Sequence, residues 1–381
     1  MSGAESHSGF QRSASRVAVT SPNNPIVLFD KKVQALPTLA PLQRRLAALF
    51  VTSRAETLAC FRRSWPDLPA SPYWQLCPGL TTGGRRLGHA RVVVAGAWYD
   101  ELRHANGACK VMVFHGTFRD LTRAALGSLR GFDHVFFNGP RMARMYARYE
   151  DEFPLRHSTP GYIPFADFPA PTPAHRAAVL GPLGLDPAHP TVLYAPARGE
   201  VGSWTAHAER LVRELPHEYN LVLRPHPSLV THGEPGRECT ARVARQLAGR
   251  GAAVLAGSGA LLGPLLAAAD LLISDATSPA EEFLFYDRPQ IFTEMCPRDA
   301  WVSRCQRDGL HRDDADGLLG LYDCGWSFAR DGAAGWAPLV RQALAEPTRH
   351  AAARQRYLQW AFGAPDRGAA DRAAAALQRL L

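Results

Sequence analysis

No apolar run in this sequence approaches the roughly 18 residues that cross a bilayer, so no membrane-spanning helix is expected. The opening residues, MSGAESHSGFQRSASR, are polar, rich in serine and without an apolar centre. That excludes a secretory signal and predicts a mobile tail over residues 1–20. Cysteine supplies no framework either. The seven cysteines (Cys60, Cys77, Cys109, Cys239, Cys296, Cys305 and Cys324) are odd in number, irregular in spacing and form no C-x-x-C pair. Reduced thiols in a cytoplasmic protein are expected, with neither a disulfide scaffold nor a zinc site. A P-loop lysine motif and a G-x-G-x-x-G fingerprint are both missing, which argues against NTPases and dehydrogenases. No helix-turn-helix, RNP or zinc-finger pattern points to nucleic acid.

What is present is basic and periodic. Lys and Arg outnumber Asp and Glu, 43 to 35, for a net charge of +8. The excess is mostly scattered arginine, a balance suited to anionic phosphate substrates or anionic lipid headgroups. A chain of 381 residues, 46% of them hydrophobic, is long enough for two domains. Short apolar runs recur between helical patterns, the rhythm of an alternating βα chain. Strands are predicted at Ile26–Phe29, Arg91–Ala95, Lys110–Phe114 and His134–Phe137, and Leu39–Phe50 reads as helical. Residues 166–190, dense in Pro, Gly and Ala, read as a linker holding one short helix. A second series follows, with strands at Thr191–Tyr194, Tyr219–Leu223, Ala252–Leu255, Asp270–Ile273 and Pro289–Phe292. The expected fold class is therefore α/β, with two Rossmann-like domains over 21–165 and 191–345 and a helical tail over 346–381.

In open parallel sheets ligands sit beyond the carboxyl ends of the strands, so those ends carry the candidate chemistry. His115-Gly116-Thr117 ends the strand Lys110–Phe114. Glycine lets backbone approach a ligand, and a histidine there can take a proton from a hydroxyl, or it simply packs in the turn. Tyr194-Ala195-Pro196-Ala197-Arg198 puts an arginine in a strand-to-helix loop, which is equally an ordinary connection. Arg224-Pro225-His226-Pro227 is stiffened by two prolines and suits a pyrophosphate, or is a rigid solvated turn. Ser274-Asp275-Ala276-Thr277-Ser278 runs into Pro279, Glu281 and Glu282. Thr277 or Ser278 fits an N-cap with Pro279 as the first helical residue. The same helix start can hold phosphate, with Glu282 one turn in to accept from ribose hydroxyls.

Taken in order, these pieces resemble the CDP-glycerol glycerophosphotransferase family, which builds or primes teichoic-acid-like and capsular polymers. The matching segments are VMVFHGT (111–117), NGPRMARMY (138–146), PGYIP (160–164), LYAPAR (193–198), LVLRPHP (221–227) and LLISDATSPAEEF (271–283). FLFYDRPQIF (283–292) and FGAPDRGAADRAAAAL (362–377) also fit. The resemblance implies a GT-B-like fold, an acceptor domain facing a nucleotide-donor domain across a cleft, with the last helices crossing back. It implies His115 as general base. It also implies His226, Thr277 and Ser278 on the donor pyrophosphate, with Asp275 and Glu282 nearby and Arg224 contributing; Gly116, Thr117 and Arg198 complete the candidate site. No cofactor or metal is expected. Three positions depart from the family pattern. Phe118, Arg119 and Asp120 stand where a proline and a lysine usually follow His-Gly-Thr, with Arg119 or Arg123 as substitute charge. Ala197-Arg198 follows Tyr-Ala-Pro directly, and Ala276 replaces a tyrosine.

The implied reaction is attack of an acceptor hydroxyl on the β-phosphorus of a CDP-alcohol, with release of CMP. The acceptor is a lipid-linked or polymeric glycan, met in the cytoplasm with peripheral contact at an anionic inner membrane face. Two rivals remain open at this point. One is a GT-B nucleotide-sugar glycosyltransferase or UDP-sugar 2-epimerase, and the other is a non-catalytic GT-B-like binding subunit.

Overall fold

The computed structural model describes residues 25–381 apart from 118–120, 199–201, 228, 230–233, 258 and 365. Among these residues the chain forms two wholly parallel sheets. The first runs β3-β2-β1-β4-β5-β6-β7, from β1 (Ile26–Phe29), β2 (Leu49–Thr52), β3 (Ala70–Pro72), β4 (Val92–Ala95), β5 (Cys109–Val113), β6 (His134–Phe136) and β7 (His157–Ser158). The second runs β10-β9-β8-β11-β12-β13, from β8 (Thr191–Tyr194), β9 (Asn220–Leu223), β10 (Ala253–Leu255), β11 (Leu271–Ser274), β12 (Gln290–Phe292) and β13 (Trp326–Ser327). In each sheet the strand order reverses once, between β1 and β4 and between β8 and β11. These are the switch points where doubly wound sheets bind ligands.

The strands form because short β-branched and apolar runs are buried on both faces by helices. Val92, Val93 and Val94 are wholly buried, as are Leu271, Leu272 and Ile273. Every strand predicted from the sequence is present within a residue or two of its expected bounds. The helix read over Leu39–Phe50 is a correction. It spans Leu36–Arg45, and β2 begins at Leu49. The backbone turns extended at Leu46, and Gln43 Nε2 holds the turn by donating to the carbonyls of Ala48 (3.1 Å) and Pro69 (2.7 Å). The linker contains one α-helix, Pro173–Leu180, whose N-cap Thr172 accepts from the His175 amide at 3.1 Å.

Two later segments pack against the first sheet's unit. Helix Ala369–Gln378 lays Ala370, Ala373, Ala374 and Leu377 into the cluster built by Leu36, Leu39 and Phe50. Arg45 pairs with Asp371 there at 2.6 Å. Helices Arg298–Arg307 and Arg312–Leu319, with the turn between them, put Trp301, Cys305, Leu310 and Leu318 into the cluster of Leu126, Met142 and Tyr146. The carboxyl edges of the two sheets face one another. The Thr117 amide and hydroxyl, just past β5, both lie on Ser278 Oγ, just past β11, at 3.3 and 3.1 Å. No helix of the described residues is long and apolar enough to cross a membrane.

Candidate active site

His115 stands two residues past β5, next to the end of β4. Its Nδ1 lies 3.1 Å from the Gly96 carbonyl. A carbonyl only accepts, so in the neutral ring Nδ1 carries the proton and Nε2 is left as the basic nitrogen. Gly96 is itself fixed from the end of β1. The wholly buried Asp30 accepts from the Gly96 amide on Oδ2 (2.8 Å), and from the Tyr99 hydroxyl (2.7 Å) and the Lys32 amide (2.9 Å) on Oδ1. Burial pushes the His115 imidazole below its ordinary pKa, and the charges of Lys32 and Arg198 add to that. Asp30 and the Gly96 carbonyl oppose it. A Cβ built on Gly96 would come within 2.7 Å of Asp30 Oδ2 and 3.4 Å of His115 Nδ1. Gly96→Ala is therefore expected to lower turnover by about 10-fold or more through a misplaced imidazole, at unchanged donor affinity, as steady-state kinetics beside a binding titration would read.

The two residues after His115 are clamped. Gly116 has φ +77°, a left-handed conformation that favours glycine. Asn138 Nδ2 donates to the carbonyls of Gly116 and Thr117, each at 3.1 Å. Arg141, from the helix Pro140–Ala147, adds Nη2 to the Thr117 carbonyl at 3.1 Å. The same guanidinium forms a two-pronged pair with Glu281 on the opposite unit, Nη1 to Oε1 and Nη2 to Oε2, the latter at 3.2 Å. The Tyr357 hydroxyl donates to Glu281 Oε1 at 2.5 Å. Both charges are buried, 1% and 0% exposed, so this is an enclosed ion pair across the junction and not a surface contact.

On the second sheet, Asp275 organises the loop that carries Arg198. Its Oδ2 accepts from the amides of Ala197 (2.6 Å) and Ser203 (3.0 Å), and its Oδ1 from the Thr293 hydroxyl. Both oxygens thus face protein donors. Burial raises the Asp275 pKa, and those hydrogen bonds oppose the rise. Arg224, directly past β9, sends Nε and Nη2 to the Ala260 carbonyl, each at 3.2 Å. His226 is pushed down to about 4 by burial and then by Arg198 and Arg224, so its ring is neutral at pH 7. Glu282 is pushed up to about 7, chiefly by burial. The Tyr162 hydroxyl, donating at 2.7 Å, and the nearby Arg224 pull it the other way.

The helix after β11 differs from the sequence expectation in detail. It spans Ser278–Phe283, with Thr277 as N-cap and no side-chain capping bond, so Pro279 is its second residue. Ala276 before it has φ +54°, strained for a residue with a side chain. A cavity of about 30 Å³ beside Asp275, Ala276 and Thr277 has room for water and not for a nucleotide.

The candidates named from sequence are thus brought together at the facing strand ends. His115, Gly116 and Thr117 come from the first sheet, and Arg198, Arg224, His226, Asp275, Thr277, Ser278 and Glu282 from the second. The charge of Arg198 is felt at both His115 and His226. Arg119 and Asp120 lie outside the described residues, and Arg123 is engaged with Glu152 at 2.6 Å. Sequence reading missed Asp30, Arg141, Glu281 and Tyr357. Asp30 had a signal, an acid directly after the apolar run IVLF at the first switch point. No group of three or more His, Cys, Asp or Glu among the described residues is arranged to hold a metal ion.

Residues 110–295 match the family model described as CDP-Glycerol:Poly(glycerophosphate) glycerophosphotransferase. Over that segment, just under half of the chain, the sequence is similar to this glycerophosphotransferase family. The segment contains His115, Arg141, Arg198, Arg224, His226 and the whole stretch from Asp275 to Glu282. The solved structure of the wall teichoic acid polymerase TagF soaked with CDPG is similar at 13% identity, with a TM-score of 0.64 over 94% of this chain and 89% of that one. Another structure of TagF gives 14% identity and a TM-score of 0.59 over the same shares. At such identity the likeness establishes the fold, which is GT-B-like. A comparison with curated proteins finds no match.

Proposed function

We propose that this protein transfers a polyol phosphate, glycerol phosphate in the first instance, from a CDP-alcohol to a hydroxyl of a polymeric or lipid-linked glycan. The observation that carries the reading is the tautomer of His115. Its Nδ1–H is committed to the Gly96 carbonyl, so Nε2 is the base, and the charge of Arg198 acts on both it and His226.

The acceptor oxygen attacks the β-phosphorus, and its proton passes to His115 Nε2. A new phosphorus–oxygen bond forms as the bond to the CMP oxygen breaks, and CMP leaves with that electron pair. Asp30, fixed on the Gly96 amide, stabilises the imidazolium that results. Arg198, Arg224 and His226 meet the charge that gathers on the phosphates, with the Thr277 and Ser278 hydroxyls at the helix start beside them. Glu282 accepts from the donor's ribose hydroxyls. Asp275 serves the donor side by holding the Arg198 loop. The net charge of +8 favours approach to an anionic membrane face carrying the acceptor.

The test is a calorimetric titration with CDP-glycerol, CDP-ribitol and UDP-N-acetylglucosamine, wild type beside His226→Ala. CDP-alcohols are expected to bind and uridine nucleotides to bind weakly, with at least about 10-fold loss of affinity in His226→Ala. Burial and the charges of Arg198 and Arg224 hold the His226 pKa at about 4. Bound phosphates raise it, so binding takes up protons and strengthens as pH falls toward the raised value. Titration in two buffers of different ionisation enthalpy reads that uptake, which His226→Ala should abolish. A preference for uridine nucleotides would promote the glycosyltransferase or epimerase reading. No nucleotide binding would favour the non-catalytic one.

A further inference from the structure

The large apolar side chains that face solvent are concentrated in one stretch. Trp74 is 55% exposed, Leu76 96% and Leu80 69%, all in the turn that follows β3. This turn is built, not loose. Cys77 N donates to Trp74 O (3.2 Å), Leu80 N to Cys77 O (3.1 Å) and Thr81 N to Pro78 O (3.2 Å). Arg85 adds Nη1 to the Gly79 carbonyl at 2.9 Å. With backbone groups engaged in this way, the turn can enter an apolar medium at lower cost, and it holds its tryptophan and leucines outward.

Arginine stands beside the turn: the helix Thr82–Gly88 that follows it carries Arg85 and Arg86, and the chain has no Asp or Glu between Asp67 and Asp100. Arg54 and Lys32 are exposed at the ends of the next two strands, β2 and β1. Tryptophan and leucine at a tip, with arginines behind them, match the layering of a bilayer interface, apolar beneath and anionic above. The site of approach is also suitable. All strands of the first sheet end on one edge, and β3 lies four positions from β5. At about 4.8 Å per strand the turn is roughly 19 Å from the end of β5, where His115 stands.

We propose that the Trp74–Leu80 turn inserts into an anionic lipid surface and sets the cleft edge of the first sheet against it. This deepens the reading above, in which a lipid-linked acceptor reaches His115. The test uses neither donor nor acceptor, so the two readings fail separately. The full chain is sedimented with phosphatidylcholine vesicles with and without phosphatidylglycerol, as wild type, as W74S/L76S/L80S and as R54E/R85E. Wild type should bind the anionic vesicles, less so at high salt. The apolar triple variant should lose about 10-fold or more in partitioning, and the charge variant should lose its preference for phosphatidylglycerol. An unchanged melting temperature and far-ultraviolet circular dichroism spectrum show that the variants are folded; Leu76→Ser alone replaces the triple variant where they do not. Wild type that ignores vesicles, or a triple variant that binds as wild type does, overturns the proposal. So does light scattering in which the triple variant changes oligomeric mass, since the turn is then a contact between copies.

Discussion

Replacing His115 with alanine is expected to lower the rate of CMP release by about 10²- to 10⁴-fold, the usual contribution of a positioned base. Donor affinity should stay within about 3-fold of wild type, because Arg198, Arg224 and His226, the groups proposed to bind phosphate, lie on the other sheet. The pH profile supplies a second signature. Burial and the charges of Lys32 and Arg198 hold the His115 pKa below its ordinary value. The base is active when neutral, so activity should persist as pH falls through about 6.5, the free-histidine value, and be lost only below it. Asp30→Asn removes the carboxylate that opposes this shift, and it should move the acid limb still lower while reducing the maximal rate. A profile that breaks at or above the free-histidine value would mean that the group titrating is not this histidine.

Glu281→Ala is expected to destabilise the protein by about 3–5 kcal/mol, because it leaves the Arg141 guanidinium buried without its counter-charge. Denaturant unfolding would read this directly. The informative comparison is the double variant Arg141→Met/Glu281→Leu. Replacing both charges by apolar groups of similar size removes the unpaired charge, so most of the stability should return. Turnover should not return with it. The Thr117 carbonyl still lacks the Arg141 Nη2 bond, and the loop after His115 is no longer tied to the helix after β11. About 10²-fold of kcat is expected to remain lost at near-normal stability. Recovery of both together would mean that the pair serves stability alone and does not position the catalytic loop.

Much of this site was legible from sequence because strand ends are local features. VMVFHGT, LVLRPHP and LLISDATS each announce a buried strand and then a residue with chemistry, and parallel topology carries those ends to one edge. Three of the four edge strands were not legible. β3, β7 and β13 have three, two and two residues, too few to show a period. β2 was read as the end of a helix because the spacing of leucines runs on past Arg45, and only the Gln43 bonds to Ala48 and Pro69 mark the break. The clamp was invisible for a different reason. Arg141 finds Glu281 140 residues away, and Tyr357 lies 216 from Arg141; nothing in a one-dimensional pattern pairs them. Asp275 shows the converse. Its position at a strand end suggested the donor, yet its oxygens hold the backbone that carries Arg198. Neighbouring acids divide the work likewise: Glu281 locks the junction, and Glu282 faces Tyr162 and the field of Arg224.

The reaction itself is read by CMP release from CDP-glycerol in the presence of a lipid-linked glycerol phosphate acceptor. CMP should form in step with glycerol phosphate gained by the acceptor, and neither product should form with His115→Ala. Consumption of a UDP-sugar under the same conditions, with CDP-glycerol left intact, would contradict the proposed reaction.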